Sequence, residues 1–358
     1  MIVCIFPKIT FSQCDDVTLD SLTNPGPYEV ATLDETDGIR NGPDYAGATI
    51  YYPVNATPPF ASVALVTGFL SSPEDIEEWG PFYASHGIIA INIGTNSGLD
   101  LPPIRAAALL DALETLRQEN TRNQSPLEGS IDIDKFAVSG WSMGGGGAQI
   151  AATLDPSIKA VVALCPWLGS GTQLDHESPV LIFSGQDDVV APPNLHANVH
   201  YENTPLTTQK VLFEIENGSH SVANTPNGAD GVIGKIALSW IQLYVDDNTC
   251  YCALLHESLL IDPVASNTEI NINSGCDGVL GLDTLEVSAV SLYPNPTSNL
   301  IHATVRQDVN YQVFSTLGER ILEGKLSPSK NQINISHLPA SMYYVRLGNE
   351  TFKMLKID

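Results

Sequence analysis

Phe136-Ala137-Val138-Ser139-Gly140-Trp141-Ser142-Met143-Gly144-Gly145-Gly146-Gly147 is the stretch that decides the fold. A short β-branched and apolar run enters it, and a helical pattern leaves it through Ala148, Ile150, Ala151 and Leu154. A serine between two such halves sits on a tight strand-to-helix turn, the nucleophile elbow. Glycine two residues before and two residues after Ser142 is a steric requirement, because neighbouring backbone comes too close for a Cβ. The turn lifts the hydroxyl clear of the backbone, and the new helix aims free N–H groups at the same spot. Phosphate-loop and dinucleotide readings fail. No Gly-Lys-Ser/Thr follows, and Gln149 breaks the Gly-x-Gly-x-x-Gly spacing. A serine hydroxyl is a weak nucleophile until a base takes its proton, so a histidine and an acid are expected downstream.

Outward from the elbow, strand and helix patterns alternate, which predicts a mostly parallel sheet of eight to nine strands covered by helices on both faces. Strand-like runs are Ser62–Val66, Ile88–Ile93, Phe136–Ser139, Ala160–Cys165, Val180–Phe183 and Val211–Ile215. Pro73–His86, Ile104–Leu116 and Val232–Val245 read as helices. Beyond Cys276 the texture changes to short alternating strands at Leu300–Val305, Tyr311–Phe314, Gln332–Ile335, Tyr343–Leu347 and Thr351–Ile357. Turn signals separate them, and a second, all-β sandwich is expected there.

Charge marks the same division. From Ala289 onward there are 7 Lys/Arg against 5 Asp/Glu, whereas the preceding residues carry 9 against 36. The reading is a signal-like segment at 1–13, a catalytic domain at 14–278, a linker at 279–288 and a β-sandwich at 289–358. A net charge of −25 argues against nucleic acid or anionic membranes as partners. No apolar run reaches the length of a membrane span. Cys165 lies in an apolar strand and is expected as a buried free thiol. Cys14, Cys250, Cys252 and Cys276 flank the edges of the large domain, so two bridges tying its ends are expected, with pairing open.

Among eight histidines, His220 follows the strand Val211–Ile215 in Glu216-Asn217-Gly218-Ser219-His220-Ser221 and suits a general base. His86 reads as a packing or capping residue, His196 as packing beneath the site, and His176, His200 and His256 as polar-surface residues. His302 and His337 belong to the β-domain. The acid should also follow a strand, and Asp187 or Asp188 after Val180–Phe183 can serve. The order Ser–Asp–His is the α/β-hydrolase order. Of the two backbone donors an oxyanion needs, one is expected from Met143 and one from the Gly68-Phe69 loop after Val66. Trp167 and Phe69 fall on loops at sheet ends, where they can hold a flat acyl group.

Gly140-Trp141-Ser142-Met143-Gly144-Gly145-Gly146-Gly147, Cys165-Pro166-Trp167, Asp188-Val189-Val190-Ala191-Pro192 and Gly218-Ser219-His220-Ser221 resemble the bacterial cutinases and poly(ethylene terephthalate) hydrolases. Trp79-Gly80-Pro81 and Ala84-Ser85-His86-Gly87 extend the resemblance over roughly Gly26 to Asp247. It implies Ser142 as nucleophile, Asp188 rather than Asp187 as acid, and His220 as base. Phe69 and Met143 match the oxyanion positions, with Phe69 where the family usually has tyrosine. Trp167, Val190, Phe69 and Trp141 match substrate-binding positions, and His196 and Ser221 match variable positions near the clamp tryptophan. Some members bridge the acid and base loops with a disulfide where this chain has Gly185 and Val222. By that similarity the loops here lack a tie, and a bridge at this pair is expected to add about 2–4 kcal/mol. The tail from Leu292-Tyr293-Pro294-Asn295-Pro296 to Lys353-Met354-Leu355-Lys356-Ile357 resembles a type IX secretion sorting domain. Its partner would be the outer-membrane export machinery.

The expectation is a secreted, monomeric serine carboxylester hydrolase acting on polyesters and small esters, with no metal or organic cofactor. The segment between Trp167 and Pro179 is too short for a helical lid, which suits an open cleft. A small-ester carboxylesterase or lipase is the alternative enzyme, and a binding protein with an inactive hydrolase fold is the alternative of another class.

Overall fold

The computed structural model describes residues 14, 17–169, 172–272, 292–293, 295–303, 309–316, 318–327, 330–347 and 350–357. The chain divides into two compact units, Met1–Gly281 and Leu282–Asp358. The signal-like segment at 1–13 and the linker at 279–288 lie outside the described residues.

The first unit is built on a nine-stranded sheet. Its strands are β1 (Val30–Leu33), β2 (Ala48–Pro53), β3 (Phe60–Val66), β4 (Ile89–Ile93), β5 (Ile131–Trp141), β6 (Ala160–Leu164), β7 (Val180–Gly185), β8 (Lys210–Ile215) and β9 (Ala265–Asn271), in the spatial order β1-β2-β4-β3-β5-β6-β7-β8-β9. From β4 to β8 every pairing is parallel, and β3, β4, β6 and β7 are buried along their whole length. Continuous apolar runs are the signature of strands covered on both faces. On one face lie α1 (Trp79–Ser85) and α5 (Val232–Tyr244), with Trp79, Phe82, Ile236 and Trp240 in the core. The other face carries α2 (Pro102–Glu119) and α3 (Met143–Leu154), with Ala106, Leu109, Leu113, Ala148 and Ala151. A short α4 (Ala197–Asn203) precedes β8. Register matters most for function. Val66 pairs with Gly140, Trp141 with Leu164, Leu164 with Phe183, and Gly185 with Ile215. The loops that follow β3, β5, β7 and β8 therefore leave from one end of the sheet.

Three strands went unread in the sequence. β1 and β9 are half-exposed edges, and β9 (Ala-Ser-Asn-Thr-Glu-Ile-Asn) carries too few apolar side chains to signal a strand. β2 alternates only partly in burial. The helix expected from Pro73 starts as a 3-10 turn at Pro73–Ile76, and the α-helix runs only over Trp79–Ser85. Cys14 and Cys250 form a disulfide, closing the large unit on itself across 236 residues. Cys252 is also disulfide-bonded, and Cys276 lies outside the described residues. Cys165 is a buried free thiol. No helix among the described residues is long and apolar enough to cross a membrane.

The second unit holds two antiparallel sheets. One orders β10 (Leu292–Tyr293), β11 (Leu300–Ala303) and β14 (Gln332–Asn334). The other orders β13 (Arg320–Leu326), β12 (Val309–Ser315), β15 (Ser341–Leu347) and β16 (Glu350–Lys356). Ile301 and Ile333 from one sheet share a core with Val313, Val345 and Met354 from the other, which makes it a sandwich. The unanticipated β13 hides its pattern because Gly324 replaces a side chain. A Cβ there would press on the Tyr311 ring at 2.6 Å.

Candidate active site

Ser142 stands at the junction of β5 and α3 with φ 57° and ψ −120°, a region that costs a non-glycine residue on the order of 1–3 kcal/mol. Surrounding bonds over-determine it. Its N–H donates to the Leu164 carbonyl at 2.9 Å, and its own carbonyl accepts from Gly146 at 3.1 Å and Trp167 at 2.8 Å. The glycines behind it are contact surfaces. A Cβ on Gly144 would strike the Val66 carbonyl, one on Gly146 the Trp167 carbonyl, and one on Gly147 Arg105 Cβ at 2.9 Å. Four consecutive glycines weaken an isolated helix by about 1 kcal/mol each. Here they let α3 lie against β3, α2 and the loop after β6.

Ser142 Oγ lies 2.9 Å from His220 Nε2, and His220 Nδ1 lies 2.7 Å from Asp188 Oδ2. An ionised Asp188 only accepts, so Nδ1 carries the proton and Nε2 is left to accept the serine hydroxyl. The Asp188 side chain is fully buried, and its Oδ1 accepts the N–H groups of Val190 and Ala191, both at 2.8 Å. Burial pushes this carboxyl up, but the bonds from His220, Ala191 and Val190 outweigh it and hold it below the usual carboxylate range. Neighbouring Asp187 is exposed. Trp141 holds His220 twice, through Nε1 to the His220 carbonyl at 2.8 Å and through ring contact at 5.1 Å.

The Gly68-Phe69 peptide lies beside the serine, since a Cβ on Gly68 would be 2.7 Å from Ser142 Cβ. Met143 opens α3, where its N–H has no carbonyl in a preceding turn to bond. Phe69 and Val190 are exposed and Trp167 is half-buried. The Trp167 ring rests on His196 at 5.6 Å, so His196 packs against Trp167. His86 caps α1 and packs on Phe82 at 5.1 Å.

Two expectations need correction. His176 and His200 are buried, not on polar surfaces. His200 contacts Gln149 Nε2 at 3.2 Å and the His196 ring at 6.1 Å, and burial then His196 push it down to about 3. Its position in α4 above α3 explains this. The turns after β7 and β8, expected to lack a tie, are not loose either. Gln186 N–H bonds the Ile215 carbonyl at 3.0 Å, Asp187 N–H the Gly218 carbonyl at 2.8 Å, and Asn217 N–H Gln186 Oε1 at 3.0 Å. Gly185 sits so tightly against this pair of turns that a Cβ would strike the Gly218 carbonyl and come within 2.6 Å of the Ser219 carbonyl. The backbone of the turn after β8 already fills the space a cysteine at Gly185 would need.

One residue escaped the sequence reading. Arg105, fully buried on α2, donates to the carbonyls of Thr67 at 2.8 Å, Asp100 at 2.9 Å and Gly98 at 3.2 Å. A single cation in the apolar run Ile104–Leu116 was the signal available. Among the described residues no group of three His, Cys, Asp or Glu side chains is placed to hold a metal ion.

Residues 11–270 match the family model described as PET hydrolase-like, and residues 291–357 match the secretion system C-terminal sorting domain. The bis(hydroxyethyl) terephthalate hydrolase of Streptomyces coelicolor is 34% identical over 247 residues, covering 68% of this chain and 76% of that protein. Cutinase est1 of Thermobifida alba and cutinase 2 of Thermobifida cellulosilytica are each 34% identical over 232 residues. These cover 64% of this chain and 75% and 84% of theirs. The chain therefore belongs to the PET hydrolase-like family of α/β-fold carboxylester hydrolases and bears a sorting domain for export.

Proposed function

We propose that this protein cleaves polyesters by a serine relay in which Ser142 is the nucleophile, His220 the base and Asp188 the acid. The observation that carries the reading is the continuous hydrogen-bonded line Ser142–His220–Asp188. Ser142 Oγ attacks the ester carbonyl carbon as its proton passes to His220 Nε2. The N–H groups of Phe69 and Met143 hold the oxyanion. His220 then protonates the departing alcohol, leaving an acyl-serine that water opens by the same relay. Asp188, kept ionised by three hydrogen bonds, stabilises the imidazolium between these steps. Phe69, Trp167, Val190 and Trp141 form the walls for the acyl unit. The relatives' names, a terephthalate-ester hydrolase and cutinases, support a polymeric or aromatic ester as substrate. The same reading takes 14–278 as a monomeric catalytic domain, 279–288 as linker and 289–358 as the module read by the type IX machinery. The two compact units and the ranges of the two family matches support that division.

The test is product analysis after incubation with cutin, an aliphatic polyester and poly(ethylene terephthalate) film. Acid and alcohol products should appear with the native protein and vanish with Ser142→Ala, which should keep its circular dichroism. Trp167→Ala should lower release from the aromatic film about threefold to tenfold more than hydrolysis of a short p-nitrophenyl ester, the worth of one offset aromatic contact. Activity on soluble esters with none on any polymer would establish the small-ester reading. Failure to react with a serine-directed phosphonate would establish an inactive fold.

A further inference from the structure

We infer that Arg105 is the positioning residue that fixes the oxyanion-binding loop, an inference that rests on the oxyanion role proposed for Phe69. The loop after β3 is poorly anchored by itself. Phe69 and Leu70 are exposed, Leu70 takes φ 53°, and the internal contacts from Thr67 Oγ1 to the Ser71 carbonyl and from Ser71 Oγ to the Phe69 carbonyl are both long at 3.3 Å. Its firm attachments come from one side. Arg105 Nη1 bonds the Thr67 carbonyl at 2.8 Å, two residues before the Phe69 N–H. The same guanidinium holds the carbonyls of Gly98 and Asp100. Gly98 in turn accepts the Leu70 N–H at 2.8 Å. One planar cation thus grips the loop at its start directly and at Leu70 through a single intermediary. The three acceptors are carbonyls and not carboxylates, so the charge is held by the backbone it organises. The fork of five donors suits this task, and an ammonium cannot reproduce it. Gly147 is the counterpart on the helix behind, where a Cβ would meet Arg105 Cβ at 2.9 Å. The same arginine thus touches the elbow helix at its Cβ and the oxyanion loop at its guanidinium.

The experiment uses Arg105→Lys in the full chain, with active molecules counted by phosphonate titration so that misfolded protein is excluded. The readouts are kcat and KM on a soluble ester and on its thionoester, whose larger, softer sulfur is a poor acceptor for an oxyanion hole. A hole moved by a fraction of an ångström should lose on the order of 10-fold to 100-fold in kcat per active molecule, with KM nearly unchanged. The preference for oxygen over sulfur should shrink in step. Gly98→Ala is the second variant, because its Cβ would press on Leu70 Cα at 3.2 Å with Arg105 intact. It should show the same signature, smaller, and it decides the matter if Arg105→Lys yields no soluble protein. Lower thermal stability with unchanged kcat and unchanged oxygen preference would overturn the inference and leave Arg105 a scaffold residue. Absence of any oxygen preference in the native protein would instead overturn the oxyanion reading of Phe69.

Discussion

The two flanks of Ser142 are held by opposite means. On the side of Asp188 and His220, the turns after β7 and β8 interlock through their own backbones, with Gly185 against Gly218 and a buried Asp188 gripping its own loop. On the other side the exposed loop after β3 has little hold on itself, and the buried side chain of Arg105 bonds its Thr67 carbonyl. Backbone interlock tolerates no added atom, whereas a side-chain fastening concentrates the loop's geometry in one replaceable group. The turns after β7 and β8 are over-determined by many small contacts, and the loop after β3 rests on two firm bonds, Arg105 to the Thr67 carbonyl and the Leu70 N–H to the Gly98 carbonyl.

The largest expected effect breaks the relay flank by charge. Asp188→Ala should lower kcat on a soluble ester by about 10⁴-fold, since the imidazole loses its tautomer control. Asp187→Ala, an exposed neighbour, should change it less than twofold, so comparable losses would show that the acid was misassigned. Next comes crowding. Introducing Gly185→Cys with Val222→Cys should destabilise the catalytic unit by about 1–3 kcal/mol before any bridge gain is counted, because the new Cβ meets carbonyl oxygens. A higher melting temperature than native for the reduced double variant would mean that the turns separate easily and the interlock is weak.

The smallest effect is on pH dependence. His200 is held at about 3 when folded and rises to its ordinary value near 6.5 when unfolded. Below about pH 6.5 the unfolded chain takes up a proton that the folded chain refuses, so stability falls as pH drops. The slope is at most about 1.4 kcal/mol per pH unit for this group. Its contribution is fully present above pH 6.5. His86, His176 and His196, also pushed down by burial, steepen the same limb. Denaturant melts between pH 7 and 5 should show this slope, flattened in His200→Phe. An unchanged slope would mean that His200 is protonated or solvated in the folded state.

What could be read in the sequence follows from how each part is stabilised. Buried parallel strands betray themselves as apolar runs, and the elbow by glycines at fixed offsets, so the central sheet and the places of Ser142, Asp188 and His220 were legible. Strands β1, β2 and β9 owe their existence to a neighbour's edge and carry little pattern of their own. His200 looks polar in a polar stretch until α4 is seen folded over Gln149. The fit between Gly185 and Gly218 joins turns 33 residues apart, and no local rule for glycine reveals what stands opposite it.

The Cys14–Cys250 bridge gives the enzyme a geography. It closes a span of 236 residues, and a loop of that size removes about 5 kcal/mol of freedom from the unfolded chain in a pure chain-entropy reckoning. That gain exists only where thiols oxidise. Inside a reducing cytoplasm the same polypeptide is a looser object, and its final rigidity is conferred after departure. The sorting domain therefore travels with a catalyst whose last tie closes only beyond the cytoplasm: the bridge and the export tail belong to one journey.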